Sequence, residues 1–136
     1  MNRLALIAAI ATLALPSAAL AQVPQDEMSY PRITHCAAMN MLIGKMLELG
    51  QDKDQAEVKE QAETYISQAA ALTLVGAAMM EKDTEEVRAE VYAQGDAMAQ
   101  SLTDEAAAEA LFESDYAACT EMGKAAYAAV QQAGES

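Results

Sequence analysis

Only one internal disulfide can form in this chain, because it has two cysteines, Cys36 and Cys119. They lie far apart and make no Cys-x-x-Cys spacing, so the pair reads as a structural bridge and not as a metal or dithiol redox motif. In the chain-entropy description, closing a loop of this length stabilises a fold by about 4 to 5 kcal/mol. Such a bridge ties the opening helix to the closing one and leaves neither sulfur as a free nucleophile.

A disulfide asks for an oxidising compartment, and the start of the chain supplies a matching address. Arg3 precedes the apolar run Leu4 to Leu15, and Ala19-Leu20-Ala21 before Gln22 is a small-x-small cleavage site. The run ends at Pro16, well short of the roughly 20 residues a membrane span requires. Gln22 rather than a cysteine follows the site, so no lipid anchor is expected. We therefore expect a cleaved signal peptide over 1–21, an extended lead-in over 22–30, a single helical domain over 31–132 and a tail over 133–136. The mature protein is expected to be periplasmic or secreted, with no membrane attachment after the signal is removed.

Taking 21 residues from 136 leaves 115, enough for one core and no second domain. Without Arg3 the 8 bases fall to 7 against 21 acids, a net charge near −14. A surface this negative repels phosphate backbones and anionic headgroups, which argues against nucleic acid as a partner. Cationic partners and metal ions stay open, and solubility alone accounts for acids on exposed helix faces.

Periodicity is helical throughout, with no alternating strand pattern and no Asn-Gly or Asp-Gly turn. A first helix is expected from Pro31 to Leu49, stopped by Gly50, with Cys36, Met39, Ile43, Met46 and Leu47 inward and His35 at the edge of that face. Asp52 with Gln55 is read as the cap of a second helix reaching Met80, and Asp83 with Glu86 as the cap of a third reaching Ser101. Thr103, followed by Asp104 and Glu105, is read as the start of a fourth that ends near Gln132. The fold class is thus all-α: a small antiparallel bundle of about four helices, with one disulfide between the first and the last.

Asp115 interrupts the apolar stripe of the fourth helix, formed by Leu111, Phe112, Cys119, Met122 and Ala126. A carboxylate there needs a donor or water. If the first and last helices run antiparallel at Cys36 and Cys119, Asn40 comes beside Asp115, and the two are expected to form a buried polar pair.

Catalysis is not indicated. His35 is the only histidine, no Gly-x-Ser-x-Gly turn accompanies it, and the acid pairs Glu85-Glu86 and Asp104-Glu105 lie at helix starts, where they complement the dipole. No enzyme activity and no cofactor are expected. Haem lacks a Cys-x-x-Cys-His attachment motif, and the bridge leaves no room for a porphyrin beside His35. The alternative function is soft-metal binding, with copper held by His35, Met39 one turn along and Met122 across the seam. Methionines in an alanine-rich helical chain are more commonly core filler.

What remains is a structural or protein-interaction role. From Ala69 to Met80 every residue except Thr73 is apolar or glycine, and Ala71, Leu74 and Ala78 are expected to present a contact face for a homodimer or a protein client. The Ala118-Cys119-Thr120 neighbourhood resembles that of small exported acid-stress chaperones, which also join two helices through one disulfide. The resemblance covers a few residues around one cysteine, and the spacing between cysteines is much longer here. It implies a chaperone-like client-binding role.

Overall fold

The structure, a computed structural model, describes residues 28–135; the expected signal segment and all of the lead-in before Met28 lie outside the described residues. Among those residues there are four helices and no strand: α1 (Tyr30–Leu49), α2 (Ala56–Met80), α3 (Thr84–Ser101) and α4 (Glu105–Glu135).

Local chemistry sets the ends. Ser29 caps α1 by accepting from the Arg32 N–H at 3.4 Å, Pro31 sits in the first turn, and the Gly50 N–H returns to the Leu47 carbonyl. The predicted Asp52 and Gln55 cap does not form. Gln55 Nε2 donates to Asp52 Oδ1 at 3.1 Å inside the turn, so the two side chains satisfy each other, and the helix opens after Gln55. Glu81 closes α2 in the left-handed conformation (φ 52°), which brings the Lys82 N–H onto the Ala77 carbonyl. Asp83 caps α3 as expected, accepting from the Glu85 N–H at 2.9 Å. At α4 the cap is Asp104, which accepts from the Ala106 N–H at 3.0 Å, while the Thr103 hydroxyl turns back to the Gln100 carbonyl. α4 also continues through Gly134, so the expected tail is largely helical.

α1 and α2 form the middle of the bundle, and each packs on all three other helices. α3 and α4 flank this pair and do not pack extensively on each other. This explains why α1 has no solvent-facing stripe over most of its length. Thr34 and Ala38, which winding alone puts opposite the core, are buried because α3 covers that side. α1 and α2 run antiparallel, and Gly44 permits their close approach, whereas Gly76 is in ordinary contact. A Cβ at Gly44 would lie 2.7 Å from Ile66 and 3.1 Å from the Ala62 carbonyl, and Gly76 faces Tyr30 and Ile33. α3 docks through Tyr30, whose hydroxyl donates to Glu90 at 2.5 Å, and through Gln94, which donates to the Thr34 hydroxyl at 3.0 Å. The fully buried Ile33, Met39, Leu72, Met122 and Val87 fill the interior, each contributing about 1.5 to 3 kcal/mol.

The expected bridge is present. Cys36 and Cys119 are disulfide-bonded, with Cα atoms 4.7 Å apart, and both are completely buried between α1 and α4.

Candidate functional site

The disulfide seam fixes the polar geometry around it. Asp115 lies one turn before Cys119, where its carboxylate accepts from Arg32 Nη1 at 3.0 Å and pairs with His35 Nε2 at 3.0 Å. Asn40 lies one turn after Cys36, and its Nδ2 donates to the carbonyls of Cys36 (2.8 Å) and Cys119 (3.0 Å). Gly123 packs directly on the Asn40 amide. Residues 32, 36 and 40 therefore meet 115, 119 and 123, so the two helices ascend together across the seam.

That direction overturns the expected Asn40 and Asp115 pair. A single covalent contact sets the distance between two helices but not their relative sense. With the sense reversed, Asp115 meets the beginning of α1 instead of its middle. Asn40 is buried as expected, but its partners are backbone carbonyls. Asp115 is half-buried, with two side-chain donors that sequence reasoning did not name. Arg32 could have been found as the cation one turn before Cys36 on the same helix.

The electrostatics follow from this contact. Burial pushes the Asp115 carboxyl up, but the Arg32 and His35 hydrogen bonds and the charges behind them outweigh it, so the carboxyl titrates below its ordinary value. A second polar cluster joins α1 to α3. Lys82 donates to Glu90 at 2.8 Å and holds its carboxyl below the ordinary range, with the Tyr30 hydroxyl acting in the same direction.

Met39 and Met122 are buried in the core beside the disulfide, while His35 lies at the partly exposed edge with Nε2 turned to Asp115. Among the described residues no group of three His, Cys, Asp or Glu side chains is placed to hold a metal ion.

The expected contact face on α2 is not presented. Ala71 is 3% exposed and belongs to the core, and Leu74 and Ala78 are half-buried, because α1, α3 and α4 all pack around this all-apolar half. At the end of α2 Met79 and Met80 are exposed, and a further, partly covered apolar surface lies on α4, where Leu111 and Phe112 rest against the core. From Thr103 to Ala118 no residue is buried, although Ala107, Ala108, Leu111 and Phe112 make a helical apolar stripe and Tyr116 is 41% exposed. The first half of α4 is thus an amphipathic arm, loosely laid on the bundle and anchored at its base by Cys119.

Below the arm a groove of about 860 Å³ opens between α1, α2 and α4. Its apolar wall is Ile43 and Leu47. Tyr65 and Tyr116 cross it with their hydroxyls hydrogen-bonded at 2.7 Å, and burial, with that bond, raises the Tyr65 hydroxyl pKa. Gln68 lines the groove and, with Asn40, keeps an amide oxygen that has no partner among the described residues.

No family model matches this chain, and no curated protein or solved structure is significantly similar to it.

Proposed function

We propose that this chain is an exported interaction module that captures a basic amphipathic segment of another protein along the first half of α4. The observation that carries the reading is the arm itself: sixteen consecutive residues, 103–118, whose apolar stripe rests on the core at Leu111 and Phe112 yet leaves no side chain buried. A helix with that pattern ordinarily buries its stripe. Charge selects the partner. No Lys or Arg occurs between Arg88 and Lys124, while Asp104, Glu105, Glu109 and Glu113 flank the stripe, so a cationic helix complements the arm and a second copy of this acidic chain repels it.

The export part of the reading rests on the signal-like residues 1–21 and on the disulfide, which persists in oxidising compartments. Among the described residues no helix is long and apolar enough to cross a membrane. A binding module needs no reactive group, and the chaperone-like role suggested by the Cys119 neighbourhood is one form such binding could take.

The test is titration with a labelled basic amphipathic peptide, paired with chemical crosslinking of the native protein in its own compartment. Phe112→Glu should weaken peptide binding at least tenfold with an unchanged circular dichroism spectrum. Binding that is indifferent to Phe112→Glu removes the arm from the proposal. A concentration-dependent mass in sedimentation, lost in the same variant, would replace the basic partner with a second copy.

A further inference from the structure

The arm and the entry of the chain into α1 lie at the same end of the bundle. Residues 32, 36 and 40 meet 115, 119 and 123, an offset of 83 residues that sets Leu111 level with Met28. Met28, the first described residue, packs against the same core as Leu111 and Phe112. Residues 104–110 therefore project past the beginning of α1, beside the place where the preceding chain arrives.

Twenty-seven residues precede Met28, and their chemistry complements the arm. Leu4 to Leu15 is an apolar run of twelve residues, the same number as the arm from Asp104 to Asp115. Arg3 is the only charged residue among the first 25, whereas Asp104, Glu105, Glu109 and Glu113 flank the apolar stripe of the arm. Reach is no obstacle. The twelve residues 16–27 can span up to about 40 Å, against about 18 Å for a twelve-residue helix. A tether of that size holds the run at a local concentration on the order of millimolar, which neither a second copy nor a separate protein matches without binding far more tightly.

We propose that, for as long as residues 1–21 remain attached, the run Leu4–Leu15 lies on the stripe of Ala107, Ala108, Leu111 and Phe112, with Arg3 against the carboxylates of the arm, and closes the arm to any other ligand. Cleavage after Ala21 takes away the whole covering run. The stretch that remains, from Gln22, is polar, and its Asp26 and Glu27 are repelled by the acidic arm. The arm is thus closed in the precursor and open in the processed chain. This cover rests on the reading of the arm as a binding surface and supplies its regulation.

Hydrogen exchange of the full chain, refolded and oxidised in vitro so that residues 1–21 stay attached, tests this against its Ile7→Glu/Ile10→Glu variant. Protection over 105–117 should be at least tenfold greater in the parent, independent of protein concentration, and should be lost as well in full-chain Phe112→Glu. Arg3→Glu should lower it several-fold at low salt and by less at about 0.15 M, where exposed charges are screened. Equal exchange in the parent and in Ile7→Glu/Ile10→Glu overturns the proposal. Protection that rises with concentration also overturns it, because the run on the arm would then belong to a neighbour. The labelled basic peptide is a separate measurement: it should bind the chain beginning at Gln22 at least tenfold more tightly than the full chain. If it binds neither while the exchange difference is present, the cover stands and the basic partner falls. If it binds both equally and exchange does not differ, the partner stands and the cover falls.

Discussion

Asp115 accepts from both Arg32 and His35, and its folded-state pKa is lower than the ordinary carboxylate value. The linkage has a definite sign. A carboxyl that binds its proton less tightly when folded adds stability above the unfolded pKa, and that stability is lost as pH falls through the folded value. Asp115→Asn should therefore be less stable than the parent by about 1 kcal/mol at neutral pH, with the gap closing in acid below the carboxylate range. Urea unfolding at both pH values checks it; a gap that persists in acid would show that the effect is not ionic. Asn40 is the other polar keystone of the seam. Its amide joins the Cys36 and Cys119 carbonyls across two helices, so Asn40→Ala is expected to cost about 1 to 3 kcal/mol, read as a lower denaturation midpoint. Sequence inspection singled out both residues as misfits in apolar stripes. It paired them with each other, wrongly, because their true partners depend on the relative sense of two helices far apart in the chain.

For the helices, the informative contrast is between two glycines. At Gly44 an added Cβ would fall 2.7 Å from Ile66 Cγ1 and 3.1 Å from a backbone carbonyl of α2, which cannot yield. Gly44→Ala should destabilise by about 1 to 3 kcal/mol through overpacking of the α1 and α2 contact. Gly134 has nothing within 4 Å of that position and lies inside α4 instead of after it. Gly134→Ala should be neutral or stabilising by up to about 1 kcal/mol, because alanine loses less backbone entropy in a helix. Thermal unfolding of the two variants measures both. Helix number and most boundaries were legible from periodicity and caps. The exceptions, Asp52 with Gln55 and Thr103 against Asp104, are places where two short polar side chains compete for the same turn and geometry picks one. The α2 face was misjudged for a different reason: a helix that is apolar all round can be surrounded or can leave a side open, and its own residues do not distinguish the cases.

Across the whole molecule, the disulfide closes the largest loop available and pins the base of a helix whose first half is otherwise weakly held. Replacing both cysteines by alanine should lower stability by about 4 to 5 kcal/mol if the unfolded chain carries the effect, measured by denaturant unfolding against the oxidised parent. Among the helices, hydrogen exchange should be fastest over 105–117 in either form, since no side chain there is buried and the segment is held only through the partly covered Leu111, Phe112 and Asp115. Slow exchange over that segment in the isolated protein would mean that the arm is not available for a partner.

The residues by themselves determined the helical class, the single possible bridge, the negative surface and the inward placement of Met39, Met122 and both sulfurs, because periodicity, charge and cysteine count are properties of the chain alone. The tertiary structure decided the parallel sense of α1 and α4, the Arg32 and His35 partners of Asp115, the enclosure of Ala71, and the groove at Gln68. Each of these depends on which helix lies across from which, and that is set by the simultaneous packing of α1 and α2 against every other element rather than by any local pattern.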